Sequence, residues 1–188
     1  MVLNIANLLL VLVKQMFEVM AKLLFNKQIK FDDGRLVLLG IRDSFTPLDT
    51  YLEFQKVMFK SGKEKLIYDS AKVAGFNWFK KMSELFPGIT QNKASNWGID
   101  LIALSGWGVP EIEKIDFKNK YAVFILKNST VARGFGSSEK PVDCLFAGLL
   151  AGGMSFSLKE DLDAIETHCL AKGDKECKFV VSKLINDK

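Results

Sequence analysis

The residues best suited to chemistry are concentrated towards the C-terminus of this 188-residue chain. All three cysteines (Cys144, Cys169 and Cys177) and the single histidine, His168, lie in one short stretch. An acidic residue, Glu166, stands three positions before the second cysteine. Three thiolates and one carboxylate form a ligand set that suits tetrahedral zinc. The spacing therefore favours a metal site formed by Cys144, Glu166, Cys169 and Cys177.

Spacing alone leaves two alternatives open for the cysteines. They could be buried, reduced thiols that fill the core as small apolar side chains do. A disulfide between Cys169 and Cys177 is also conceivable, but it would leave Cys144 unpaired, and an odd cysteine count is typical of a reducing compartment. His168 would point away from Cys169 in a strand, so we interpret it as a surface residue rather than a partner of the metal.

The same stretch resembles a known family, through residues that occur in the order Cys144, Gly148, Gly152, Glu166, Cys169, Ala171, Gly173, Cys177 and Phe179. This order is similar to the signature of the 4-vinyl reductase domain family. That family includes the effector-sensing domains of phenol-responsive transcription activators. Its fold is similar to that of haem-type nitric-oxide sensors and Golgi transport tethering subunits. The resemblance implies an α+β domain in which an antiparallel sheet packs with helices.

The resemblance also implies a cofactor. In the sensor branch of the family, zinc is held by Cys, Glu, Cys and Cys, and these positions match Cys144, Glu166, Cys169 and Cys177 one by one. A closed site with four protein ligands has no open position for water, so we expect this zinc to be structural rather than catalytic.

A small apolar or aromatic ligand, held between helices and sheet, is the third implication of the resemblance. The phenol sensors grip the ligand hydroxyl with a His and a Trp. The single histidine of this chain lies in the metal segment, so that recognition does not carry over and ligand identity stays open. Each aromatic residue taken alone suits the core as well as a pocket wall. The candidates for the pocket are Phe76, Trp78, Trp97, Trp107, Phe117, Phe124 and Phe135.

Composition limits the remaining functional classes. A chain of this length with 48% hydrophobic residues and fifteen phenylalanines suits one domain with a substantial core. The net charge of +4 is mild and its lysines are dispersed, so a direct nucleic-acid contact is not expected. The sequence contains no Gly-x-Gly-x-x-Gly motif and no Ser/His/acid set. It therefore favours a cytoplasmic ligand-binding or sensory module over the alternatives, which are a scaffold or accessory protein and a reductase acting on a tetrapyrrole vinyl group.

Residues 1–27 are predicted to form an amphipathic helix. Lys14, Glu18 and Lys22 recur at four-residue spacing on one face, and apolar residues occupy the other. These charges interrupt the apolar run, so we predict neither a membrane span nor a signal peptide. The apolar face could pack on the protein's own core, on a second copy of the chain or on a membrane surface; we favour the second copy, hence a homodimer. Residues 28–188 then form the ligand-binding domain.

The remaining pattern predicts the elements that position these residues. Helices are predicted over 46–60, 63–86, 90–104 and 141–156, and strands over 28–31, 35–41, 111–117 and 121–127. A C-terminal hairpin is predicted within 161–183, turning at Gly173 and Asp174, with a bend near Cys169 that lets Glu166 reach the same metal.

Two further features concern the segment before the metal ligands. The polar, glycine-bearing residues 128–140 are predicted to form a mobile loop. In the following helix, Ala147, Gly148, Ala151 and Gly152 give one thin face. We expect a strand or a ligand to pack close to that face.

Overall fold

The computed structural model of the protein describes residues 28–44 and 46–183. Within these residues, seven strands and five α-helices form two antiparallel sheets packed with helices, so the predicted fold class is confirmed. The helix and dimer contact predicted for residues 1–27 lie outside the described residues. Among the described helices, none combines the length and the apolar character that a membrane crossing requires.

The first sheet is a meander of three short strands: β1 (Ile29–Asp32), β2 (Arg35–Leu38) and β3 (Ile41–Asp43). The sequence predicted two strands here, and the second of them is divided. The division occurs because Leu39 and Gly40 take positive φ angles of 52° and 78°. Positive φ at both central residues is typical of a type I′ turn, which reverses the chain into β3.

Three helices follow, close to the predicted ranges: α1 (Leu48–Lys60), α2 (Glu64–Leu85) and α3 (Gln91–Leu104). The start of α3 is fixed by Thr90, whose side-chain oxygen accepts a hydrogen bond from the Lys93 amide. This is the usual role of threonine at a helix N-cap.

The prediction of a mobile loop over residues 128–140 is wrong, because this segment contains a short helix, α4 (Thr130–Phe135). Ser129 caps it by accepting a hydrogen bond from the Ala132 amide, at 3.0 Å. Val131 and Ala132 are both buried. These two apolar side chains anchor a segment whose polar composition suggested a solvated loop.

The second sheet has four strands in the order β4-β5-β7-β6, all antiparallel. They are β4 (Val109–Asp116), β5 (Tyr121–Lys127), β6 (Asp163–His168) and β7 (Cys177–Ser182). The apolar strand β5 is central, as its composition predicts, and the C-terminal hairpin is present as β6 and β7. Helix α5 (Cys144–Leu158) packs on one face of this sheet, where the main core lies.

The thin face of α5 packs against α2, and not against a strand or a ligand as the sequence analysis expected. A Cβ atom at Gly152 would overlap the carbonyl oxygen of Lys72 and would lie 2.6 Å from the amide nitrogen of Phe76. At Gly148 it would overlap the carbonyl oxygen of Tyr68. The backbones of the two helices therefore touch directly, which only residues without a Cβ atom permit.

We predict that Gly152→Ala lowers the free energy of unfolding by about 1–3 kcal/mol, the usual cost of overpacking, because the two backbones must separate. The matched control is Gly98→Ala in α3, where the new Cβ would lie 3.2 Å from the side-chain ring of Phe79. That ring can yield and the helix gains up to about 1 kcal/mol in propensity, so the control should lose little stability. Chemical denaturation monitored by circular dichroism compares them. A Gly152→Ala protein as stable as the wild type would contradict this packing.

Candidate functional site

Four buried side chains converge where the start of α5 meets the β6–β7 hairpin. Asp143, Glu166, Cys169 and Cys177 each present one potential metal-ligand atom, and these atoms all lie within 4.8 Å of one another. The four residues, called the acid–thiol cluster below, are at most 8% exposed. The structure thus brings together three of the four predicted ligands and adds an aspartate to them.

A bulge in β6 allows Glu166 and Cys169 to face the same interior. The register of β6 against β7 shifts between Glu166 and His168, so one extra residue interrupts the strand alternation. As a result Glu166 and Cys169 are buried, whereas Thr167 and His168 between them are exposed. The His168 ring lies 3.1 Å from the Thr167 hydroxyl, on the surface.

The turn between β6 and β7 holds the two thiols in place. The Cys169 amide donates a hydrogen bond to a carboxylate oxygen of Asp174, at 2.8 Å. The Leu170 amide donates to the sulfur of Cys177, at 3.3 Å. Gly173 takes a φ of 95°, which the tight turn requires and which other residues rarely adopt. The loop therefore orients both sulfurs through backbone donors.

Each carboxylate of the cluster has one oxygen paired and one orphaned. The Asp143 amide donates to Oε2 of Glu166, at 2.9 Å, and the Ser129 hydroxyl donates to Oδ1 of Asp143, at 3.0 Å. Oδ2 of Asp143 and Oε1 of Glu166 are buried without a hydrogen-bond partner among the described residues. Unpaired buried oxygens are costly, so these two atoms fit a bound cation.

The electrostatics of the cluster point the same way. Burial raises the pKa of Glu166 to about 10 and that of Asp143 to about 6. The hydrogen bond between the two thiols lowers the pKa of Cys169 and raises the pKa of Cys177. A divalent cation would favour the deprotonated form of all four groups. Two thiolates and two carboxylates are a donor set that zinc accepts, so the residues present fit this metal.

Cys144 lies beside the acid–thiol cluster but is not one of the four converging residues. It is partly buried, and burial, with smaller contributions from the charges of Asp143 and Glu166, raises its thiol pKa to about 12. Sequence reasoning missed Asp143 because an aspartate before a helix is typical of an N-cap. Its side chain makes no capping bond here. An acid directly preceding a candidate ligand was the available signal.

The second candidate site is an apolar cavity of about 210 Å³ between α2, α3, α5 and β5. Of the predicted aromatic residues, Trp78, Trp107 and Phe124 line it. Gly98 and Gly153 also line it, and their missing side chains leave space beside the ring of Phe79. The cavity thus has the shape and the lining of a small-molecule site.

The other aromatic candidates lie away from the lining of this cavity. Trp97 packs edge-on against Phe86, with ring centroids 5.2 Å apart. Phe135 packs against Phe59 at 5.0 Å. Phe117 packs against the main core. Phe76 is 40% exposed on α2 and contacts Phe156, so it belongs to the outer surface.

The C-terminal part of the chain matches a known domain family. Residues 122–183 match the family model of the 4-vinyl reductase domain. This range runs from β5 to the end of the β6–β7 hairpin and contains the whole acid–thiol cluster. These residues form a 4-vinyl reductase domain. The resemblance proposed from the sequence is thereby confirmed for the segment that carried it.

Two curated proteins are similar in sequence. The phenol regulator MopR of Acinetobacter guillouiae is 25% identical over 179 residues, which are 89% of this chain and 31% of MopR. A protein of Methanocaldococcus jannaschii is 31% identical over 81 residues, which are 43% of this chain and 44% of that protein. The chain therefore spans less than half the length of either relative.

Three solved structures share the fold. The phenol-responsive sensory domain of the transcription activator PoxR, crystallised with phenol, has a TM-score of 0.71 at 17% identity, covering 86% of this chain and 87% of that one. A vinyl-4-reductase family protein from Methanocaldococcus jannaschii has a TM-score of 0.55 at 23% identity, covering 76% and 84%. A trafficking protein particle complex subunit 3 from Naegleria fowleri, covalently bound to palmitic acid, has a TM-score of 0.53 at 11% identity, covering 72% and 91%. Similarity at these identities concerns the fold alone.

We predict that Cys177→Ser lowers zinc content and thermal stability together, because it removes a soft ligand from a site that ties α5 to the terminal hairpin. Elemental analysis and a thermal melt measure the two effects. Full zinc occupancy with an unchanged melt would contradict a metal site at this cluster.

The same assay distinguishes the two candidates for the fourth ligand. The converging geometry predicts that Asp143→Asn weakens zinc binding about tenfold or more, as loss of a metal-site contact usually does. The matched variant Cys144→Ser, one residue later, should bind zinc nearly as well as the wild type. The opposite order would assign the fourth position to Cys144.

Proposed function

We propose that the chain is a sensor-type domain that binds a small hydrophobic molecule and is stabilised by a structural zinc. The observation that carries this proposal is the apolar cavity of about 210 Å³ between the three helices and β5. Its position supports a ligand held between helices and sheet. The similarity to a phenol regulator and to a phenol-responsive sensory domain supports the same functional class.

The lining of the cavity favours a small apolar or aromatic ligand without charge. Aromatic and aliphatic side chains supply most of the wall, and Trp78, Trp107 and Phe124 offer ring faces and edges for stacking. Within the described part of the chain, no Lys, Arg or His lines the cavity. Asp43, an exposed residue at the rim, would repel an anion. A neutral aromatic or alicyclic molecule fits these conditions.

Zinc would have a structural role in this proposal. The acid–thiol cluster would supply four protein ligands, which leave no position for water and hence no catalytic site. Asp143 immediately precedes α5, and the same helix forms one wall of the cavity through Leu149, Leu150 and Gly153. The metal would therefore fix the helix that shapes the ligand site.

The test of the cavity uses phenol and toluene as probes, measured by calorimetry. Gly98→Leu extends a side chain into the cavity and should weaken binding of both probes about tenfold or more, since overpacking costs of this size correspond to such factors. The matched control is Ala94→Leu on the same helix, because Ala94 lines an outer groove between α2 and the end of α5 and not the cavity. Failure of the wild type to bind either probe, or equal binding by Gly98→Leu, would refute the proposal.

The alternative function, a scaffold or accessory role, has one observation in its favour. Large apolar side chains are more than half exposed on α1 and α2, at Phe54, Val57, Leu66 and Val73. Such surface is typical of a contact with another chain, so it supports the proposed homodimer. The mass in solution, measured by light scattering, distinguishes a dimer from a single chain. The three free cysteines support a reducing, cytoplasmic environment.

A further inference from the structure

We propose that the hydroxyl of Ser95 is the polar anchor of the cavity and selects ligands with one neutral hydrogen-bonding group. This inference rests on the proposed function, since it assumes that the cavity holds a ligand. It assigns the specificity of the site to a serine that the sequence analysis did not single out.

Ser95 is buried, and its hydroxyl lacks a partner. The residue lies on α3, lines the cavity and is 5% exposed. Its Oγ has no hydrogen-bond partner among the described residues. A serine inside a helix often bonds to the carbonyl four residues earlier. Ser155 and Ser157 of α5 do so, at 2.7 and 2.9 Å, so the fold satisfies other buried serines in this way.

The position of Ser95 separates it from the other polar residues of the lining. Asp43 and Ser105 also line the cavity, but both are exposed residues and so lie at its rim. Asp43 is in addition engaged locally, because its Oδ1 accepts a hydrogen bond from the Ser44 amide at 2.8 Å. Within the described residues, Ser95 is therefore the one buried hydrogen-bonding side chain of the cavity. A ligand that leaves it unpaired pays for its desolvation.

The chemistry of a hydroxyl defines the class of ligand. A serine hydroxyl both donates and accepts, so it can pair with a hydroxyl, a carbonyl or an ether oxygen. It carries no charge, and the described lining contains no cationic side chain to neutralise an anion. The expected ligand is a compact apolar molecule with one such neutral group directed towards α3, and carboxylates are excluded by desolvation.

The test compares phenol with toluene, which differ by a hydroxyl in place of a methyl group, and adds benzoate as an anionic probe. Ser95→Ala should weaken phenol binding about 3- to 10-fold, the factor that one neutral hydrogen bond corresponds to. Toluene should bind the variant as tightly as the wild type or more tightly. Benzoate should bind neither protein. The control Ser105→Ala, at the rim, should change neither phenol nor toluene.

The outcomes separate the anchor from the cavity itself. If Ser95→Ala changes phenol and toluene binding by the same factor, or changes neither, the anchor is refuted although the cavity still binds. If the wild type binds neither probe, the proposed function fails and the anchor fails with it. The variant loses only an unpaired hydroxyl, so its melting temperature should match that of the wild type. That match excludes general unfolding as the cause of any loss of phenol.

Discussion

The direct backbone contact between α2 and α5 is the constraint on which the rest of the structure depends. It requires residues without side chains at Gly148 and Gly152, because a Cβ atom at either position would overlap a carbonyl oxygen of α2. Helix α2 also holds the terminal hairpin. The Tyr68 hydroxyl donates to Asp163 at 2.8 Å and accepts from the Ala164 amide at 2.9 Å. The ammonium of Lys72 lies 2.8 Å from the same Asp163 carboxylate. One helix thus positions both sides of the acid–thiol cluster.

The metal cluster and the cavity are linked because they share elements. Helix α5 follows directly from Asp143 and passes along the cavity with Leu149 and Leu150. The sheet makes a second link. Cys177 pairs with Leu126 of β5, whereas Phe124, two residues away on the same face, lines the cavity. Movement of the hairpin or of the start of α5 would therefore change the cavity wall. This provides a physical route by which a structural metal supports a ligand site.

Much of the fold follows from local sequence patterns. The apolar run of β5 predicts a central strand, and Gly173 with Asp174 predicts the turn of the terminal hairpin, since both depend on local chemistry. The concentration of Glu166 with the cysteines likewise predicts a cluster of donor atoms. The placement of Asp143 depends instead on where the hairpin meets α5, which is a tertiary contact that spacing does not encode.

Other features were set by packing between distant segments. The helix α4 forms because Val131 and Ala132 find apolar neighbours, and nothing in the composition of its polar segment indicates them. The partner of the thin α5 face could not be chosen from the sequence, because glycines indicate close approach but not what approaches. Trp97 and Trp107 are indistinguishable as sequence candidates. Only the fold places Trp107 at the cavity and Trp97 against Phe86.

The central claim is that the acid–thiol cluster holds a structural zinc in the folded domain. The most direct test is native mass spectrometry of protein purified from zinc-supplemented medium, with the same sample then measured after denaturation. We predict one zinc per chain in the native spectrum and none after denaturation, because the site exists only in the fold. A native mass equal to that of the bare polypeptide would contradict the account at its centre.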